Sequence, residues 1–138
     1  MTAQAADRIA LQRATGDKFA DPVKAATKIY GGSLVVLDAA GWAAPATEAT
    51  GLIVRGVAQK QADNTAGANG AINAECERGV FRFANSAAGD LIARAEIGDD
   101  CYIVDDQTVA KTSATDTRTI AGKITDLDAQ GVWVRVGI

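Results

Sequence analysis

The chain contains no histidine among its 138 residues, and it has only two cysteines, two prolines and one methionine. Without histidine, Ser-His-Asp triads and His-containing zinc sites are excluded. Cys76 and Cys101 each stand without a second cysteine nearby, so no thiolate cluster forms along the chain. Both occur in strand-like runs, "NAECERGVF" and "DDCYIVDD", where a reduced, buried thiol behaves as a small hydrophobe. No apolar run approaches the ~18 residues of a membrane span, and the N-terminus lacks the apolar core of a secretory signal. The expectation is a protein made and used in a reducing cytoplasm, or in something assembled there. Neither sign of charge dominates: 14 basic against 17 acidic residues give a net −3. That balance argues against nucleic acid as a partner, because phosphate binding calls for a basic face. Large apolar side chains are scarce as well. The 48% hydrophobic content includes 29 alanines and leaves 37 larger apolar residues. That is a thin core for one domain of this length, and it points to an oligomer or a docked state.

What is present divides at Lys28. Residues 1–27, "MTAQAADRIALQRATGDKFADPVKAAT", mix alanine and charge, with Ile9, Leu11 and Phe19 too few to bury a helical face. Five basic and three acidic residues up to Lys28 make this stretch mildly positive against an acidic remainder. It reads as an extended N-terminal arm, either mobile or ordered by lying on something else. From Lys28 the texture is that of short strands. "KIYGGSLVVLD" is interrupted by Gly31-Gly32, and "GLIVRGVAQKQ" is broken by Gly56. In "AINAECERGVFRFA" the apolar residues fall on even numbers to Cys76 and on odd numbers at Phe81 and Phe83. A strand cannot change its inward parity without an inserted residue, so a bulge or sharp bend is predicted at Gly79. "AAGDLIARAEIG" predicts one helical turn around Leu91–Ala95, and "ADNTAGANGA" (62–71) an exposed loop. The strands "CYIVD", "TVAKT", "TIAGKITDLD" and "GVWVRVGI" complete the series. Seven or eight short strands with Gly/Asp/Asn punctuation predict an all-β fold, a small β-sandwich or partly closed β-barrel.

Two stretches share a plan: "LDAAGW" at 37–42 and "LDAQGVW" at 127–133. Asp opening a tight turn and Gly closing it is turn chemistry, so each is a β-hairpin with a tryptophan just past the turn. Trp42, Trp133, Tyr30, Tyr102, Phe81 and Phe83 are expected to supply the thin core, with Trp133 plugging it beside Val132, Val134 and Val136. The other residues capable of chemistry are acidic pairs: Asp99-Asp100, Asp105-Asp106, and Asp126 with Asp128. Two carboxylates two apart on a strand point the same way and can share a cation or act as acid and base. Asp128 is already committed to a turn, however, and no calcium-loop pattern or phosphate-binding glycine loop is present. Ser33, Ser86 and Ser113 have no identifiable base. No catalytic residue, metal ligand or cofactor site is therefore assigned.

The succession "KIYGGSLVVLDAAGWAAPA", "GLIVRGVA", "ADNTAGANGA", "GVFRFANSAAGDLI", "IGDDCYIVDDQTVAKT" and "IAGKITDLDAQGVWVRV" resembles the small capsid decoration (cement) proteins of tailed bacteriophages and prophages. The likeness runs from about Lys28 to the end and rests on several motifs together. It implies a compact β domain with an extended N-terminal arm, no catalytic residues, and binding to the outer face of an assembled head. It also implies trimers at three-fold positions that hold neighbouring capsid subunits together. The implied partners are the major capsid protein and other copies of the chain, with neither nucleic acid nor membrane. On that reading Arg8, Ile9, Leu11, Arg13 and Phe19 are the candidates for capsid contact, and Trp42 is the candidate for a subunit interface. Two other classes stand beside it: a sugar- or receptor-binding β module of a head or tail fibre, and a small cation-dependent enzyme built on the aspartate pairs.

Overall fold

A computed structural model describes residues 3–8 and 16–138. The described residues form twelve strands in three antiparallel sheets. One five-stranded sheet contains β1 (Lys18–Pro22), β3 (Leu34–Leu37), β4 (Ala43–Pro45), β5 (Ile53–Ala58) and β7 (Asn73–Glu77), in the order β1-β7-β5-β3-β4. The second contains β8 (Gly79–Phe83), β9 (Asp100–Ile103), β10 (Val109–Ala110), β11 (Ile120–Asp128) and β12 (Gly131–Val136), in the order β10-β9-β11-β12-β8. A third, small sheet pairs β2 (Thr27–Ile29) with β6 (Ala62–Asn64). The sheets do not close on themselves, so of the two expected architectures the sandwich is the one observed.

Two apolar clusters hold these layers together. Leu34, Val36 and Val57 of the first sheet meet Phe83, Ile103, Ile124, Val132, Val134 and Val136 of the second in the main core. Val35 points the other way, into a smaller cluster with Ile29, Ala43, Ala58, Ala62, Ala74 and Cys76. β3 is thus buried on both faces, which accounts for its unbroken apolar run "LVVL". The many alanines have a place here: small side chains let the two-stranded sheet lie close against the larger one. Asn64, 3% exposed, ties the same layer with its side-chain amide, which donates to the carbonyls of Val23, Lys24 and Ala68 at 3.3, 2.9 and 2.9 Å.

The parity change at Gly79 is a change of sheet. β7 lies in the first sheet and β8 in the second, joined through Arg78 alone. Gly79 has φ +154°, a conformation that other residues resist, and this permits the sharp bend. Both Asp hairpins form. Asp38 Oδ1 accepts from the N–H groups of Ala40 and Trp42 at 2.9 and 3.0 Å, and Asp128 Oδ1 from those of Gln130 and Gly131 at 2.8 and 3.0 Å.

Several expectations change. The sheets reach back beyond Lys28: β1 pairs along β7 from Lys18↔Glu77 to Pro22↔Asn73, so part of the expected arm belongs to the domain. The physical reason lies in tertiary contacts that no local periodicity announces. Asp21 and Arg55 form a two-pronged ion pair at 2.7 and 3.2 Å, and the Arg55 guanidinium lies over the Phe19 ring at 3.8 Å. Gly56 does not break β5. Val35 pairs with Gly56 and Val36 with Val54, so Arg55 is the extra residue of a bulge. The 62–71 loop begins with β6 and buries Ala62 and Asn64. In place of a helical turn at Leu91–Ala95 there are two 3-10 turns, Ala88–Asp90 and Arg94–Glu96, and no α-helix among the described residues.

Candidate interaction surface

The exposed large apolar residues are not scattered evenly. Ile53, Ile120 and Ile138 are 46, 45 and 63% exposed, and all three line one open groove of about 420 Å³. The groove lies where the starts of β5 and β11 meet the end of β12, and Leu52, Val54 and Ala121 complete its apolar wall. Leu52 and Val54 also pack against the main core, so the groove is the mouth of that core at one end of the sandwich.

Strand pairing explains the opening. β5 bonds β7 only at Val57 and Ala58, because β7 leaves for the other sheet after Glu77. β12 pairs with β11 only from Arg135↔Lys123 onward, while Ile120 and Gly122 pair with β9 on the opposite side. Beyond Val136 the chain turns aside at Gly137. Gly122 is where the closing strand approaches most tightly: a Cβ there would meet the Arg135 carbonyl oxygen. Val80, 42% exposed, pairs with Arg135 across β8 and β12 and does not line the groove.

The aromatic residues take unexpected places. Phe83 is buried, but Trp133 is on the outer face, opposite to Val132, Val134 and Val136, which are buried. The strict alternation of β12 requires this, and the expectation of a core-plugging Trp133 is corrected. Its indole N–H donates to Asp128 Oδ2 at 2.8 Å, and the Arg82 guanidinium lies 5.9 Å from its ring. Trp42 lies half-buried against Gly70, where a Cβ would come within 3.1 Å of the ring, and Pro22 faces the same glycine. Tyr30 is the opposite of a core residue at 57% exposure, with Lys28 Nζ 4.9 Å from its ring.

The acidic pairs are drawn into local structure and are not brought together. Asp100 pairs with Lys123 at 2.7 Å, Asp106 accepts from the Ser33 hydroxyl at 3.1 Å, and Asp105 accepts from the Gln107 N–H at 2.9 Å. Asp126 faces Arg94 at 3.8 Å, while Asp128 serves its turn and Trp133. The Trp133 N–H and the turn amides hold the Asp128 carboxyl below the usual range, and the Trp42 and Ala40 amides do the same for Asp38. Among the described residues, no group of three or more His, Cys, Asp or Glu side chains is placed to hold a metal ion. Cys76 and Cys101 are buried free thiols, each pushed up to about 12 by desolvation. No helix is long and apolar enough to cross a membrane among the described residues.

Of the expected capsid-contact residues, Arg8 is exposed and its Nε donates to Gln4 Oε1 at 3.0 Å. Phe19 is half-buried in β1 beneath Arg55. Ile9, Leu11 and Arg13 lie outside the described residues. Comparison with protein-family models, curated proteins and solved structures gives no match.

Proposed function

We propose that this chain is a structural protein of a phage virion, a decoration protein that binds the outer surface of the capsid and stabilises it. It is assembled in the host cytoplasm, works without a cofactor or catalytic step, and acts as a homotrimer at three-fold positions with the major capsid protein as its partner. The observation that carries this reading is the apolar end of the sandwich, where Ile53, Ile120 and Ile138 surround an open groove. Exposed apolar side chains gathered around one opening suit a surface that another protein covers. The motif succession from Lys28 onward supplies the kind of partner. The test is to add the purified protein to expanded heads that lack it, from the phage or prophage carrying the gene. Saturable binding, and heads that survive a higher temperature, are expected. Heads that neither bind the protein nor gain heat resistance would overturn the proposal.

A second reading, a sugar-binding β module of a head or tail fibre, is favoured by Tyr30. Its exposed ring borders a shallow pocket of about 410 Å³ with Gly31, Gly32, Ser33, Asp106 and Gln107. An aromatic face beside a carboxylate and an amide suits a sugar ring and its hydroxyls. A glycan screen of wild type and Tyr30→Ala decides it: a glycan bound by the first and lost in the second supports a sugar module.

A further inference from the structure

The groove offers more than an apolar wall. Along Ile53 and Val54, β5 has β3 on one side and, among the described residues, no strand on the other. Ile120 of β11 is likewise paired on its β9 side alone, whereas at Gly122 the Arg135 backbone already closes the other side. An unpaired strand edge presents a row of N–H and C=O groups to any extended chain that reaches it. Gly137 closes the slot at its inner end, where a Cβ would come 2.7 Å from the Arg55 carbonyl oxygen.

Charge at the rim completes the recognition. Arg135 lines the groove and is exposed. Arg135, like Arg8, Lys18, Lys28 and Arg82, has no carboxylate within ion-pair distance among the described residues, and Asp17, which lines the adjoining pocket with it, is paired with Arg78. The neighbours of Arg135 across the strands are Val80 and Lys123, and Lys123 is already neutralised by Asp100. The site therefore combines a free strand edge, an apolar slot and an unmatched positive charge at its rim.

We infer that this groove receives an extended segment of the capsid subunit, added as a short strand to the free edge of β5. Its alternate apolar side chains enter the slot between Ile53 and Ile120, and an Asp or Glu at one end meets Arg135. This rests on the capsid-binding reading above and names how the contact is made. Main-chain hydrogen bonds supply affinity in such strand addition, and the side-chain slot supplies specificity. The carboxylate fixes which way the added strand runs.

The experiment measures binding of wild type, Ile120→Glu, Arg135→Glu and Leu91→Glu to expanded heads. Leu91, 48% exposed and outside the groove, is the control. The substituted side chains are all exposed, so melting temperatures close to wild type are expected. Ile120→Glu and Arg135→Glu should each weaken binding by about tenfold or more, and Leu91→Glu should not. In parallel, benzoylphenylalanine in place of Ile53 is irradiated on the heads and the joined peptide is sequenced by mass spectrometry. A capsid-subunit peptide with alternate apolar residues and a terminal acidic residue is expected. Equal binding by all four proteins, or cross-links only to another copy of this chain, would overturn the inference while leaving capsid binding intact. Wild-type protein that ignores the heads would remove both.

Discussion

Asp128 does three things with one carboxylate: it accepts two turn amides on Oδ1 and the Trp133 indole on Oδ2. Those bonds favour the ionised form, so its folded-state pKa lies below the value of the unfolded chain. The stability it contributes is therefore fully present above the unfolded pKa of about 4 and is lost as pH falls through the folded pKa. The melting temperature should fall below about pH 4, and the fall should be shallower in Asp128→Asn, which keeps an acceptor but has no proton to gain. Thermal melts of both proteins from neutral to acid pH check this. Trp133 belongs to the same outer-face corner. Because it covers the sheet from outside, Trp133→Ala should cost about 1–2 kcal/mol, well below the ~3–5 kcal/mol of a fully buried aromatic. A urea-unfolding loss at the upper figure would mean that the ring is a core residue after all. The alternation of "VWVRV" already carried this answer, since Val132, Val134 and Val136 cannot share a face with the residue between them.

The elements depend on a few close approaches. A Cβ on Gly122 would collide with the Arg135 carbonyl oxygen, and both partners are backbone, so neither yields cheaply. Gly122→Ala should destabilise by about 2–4 kcal/mol through forced separation of β11 and β12. Asn64→Ala should cost about 2–3 kcal/mol by leaving carbonyls of the chain beside β6 without a donor. Denaturant unfolding of both variants is the check, and a neutral Asn64→Ala would show that water replaces the amide. The strands from β7 onward were legible because polar and apolar residues alternate there, and the sheet change at Gly79 was legible as a parity break. β1 and β6 were not. Their signals are Phe19 beneath Arg55, Asp21 beside Arg55, and Asn64 on distant carbonyls, all made across the fold. The groove was also hidden. "GLIV" and "TIAG" look like core, and only the early departure of β7 and β12 exposes Ile53 and Ile120 to solvent. The turn roles of Asp38 and Asp128, by contrast, could be read directly from Asp and Gly spacing.

At the scale of the whole molecule, a thin core, one apolar end and a preceding segment of mixed charge suit a protein completed by its neighbours. Deleting residues 1–15 leaves β1 and the Asp21–Arg55 pair in place, so the fold should persist while binding to heads weakens. A cut at Asp21 would instead remove three residues of β1, Phe19 among them, and should lower the melting temperature as well. Unimpaired head binding by the 16–138 protein would show that the leading segment takes no part. Cryo-EM reconstruction of expanded heads with and without the protein tests capsid decoration directly. Added density is expected on the outer surface at the three-fold positions, three sandwiches to a site, each with its Ile53–Ile120 end on a capsid subunit. Unchanged maps, density inside the shell, or isolated monomers at every site would contradict it.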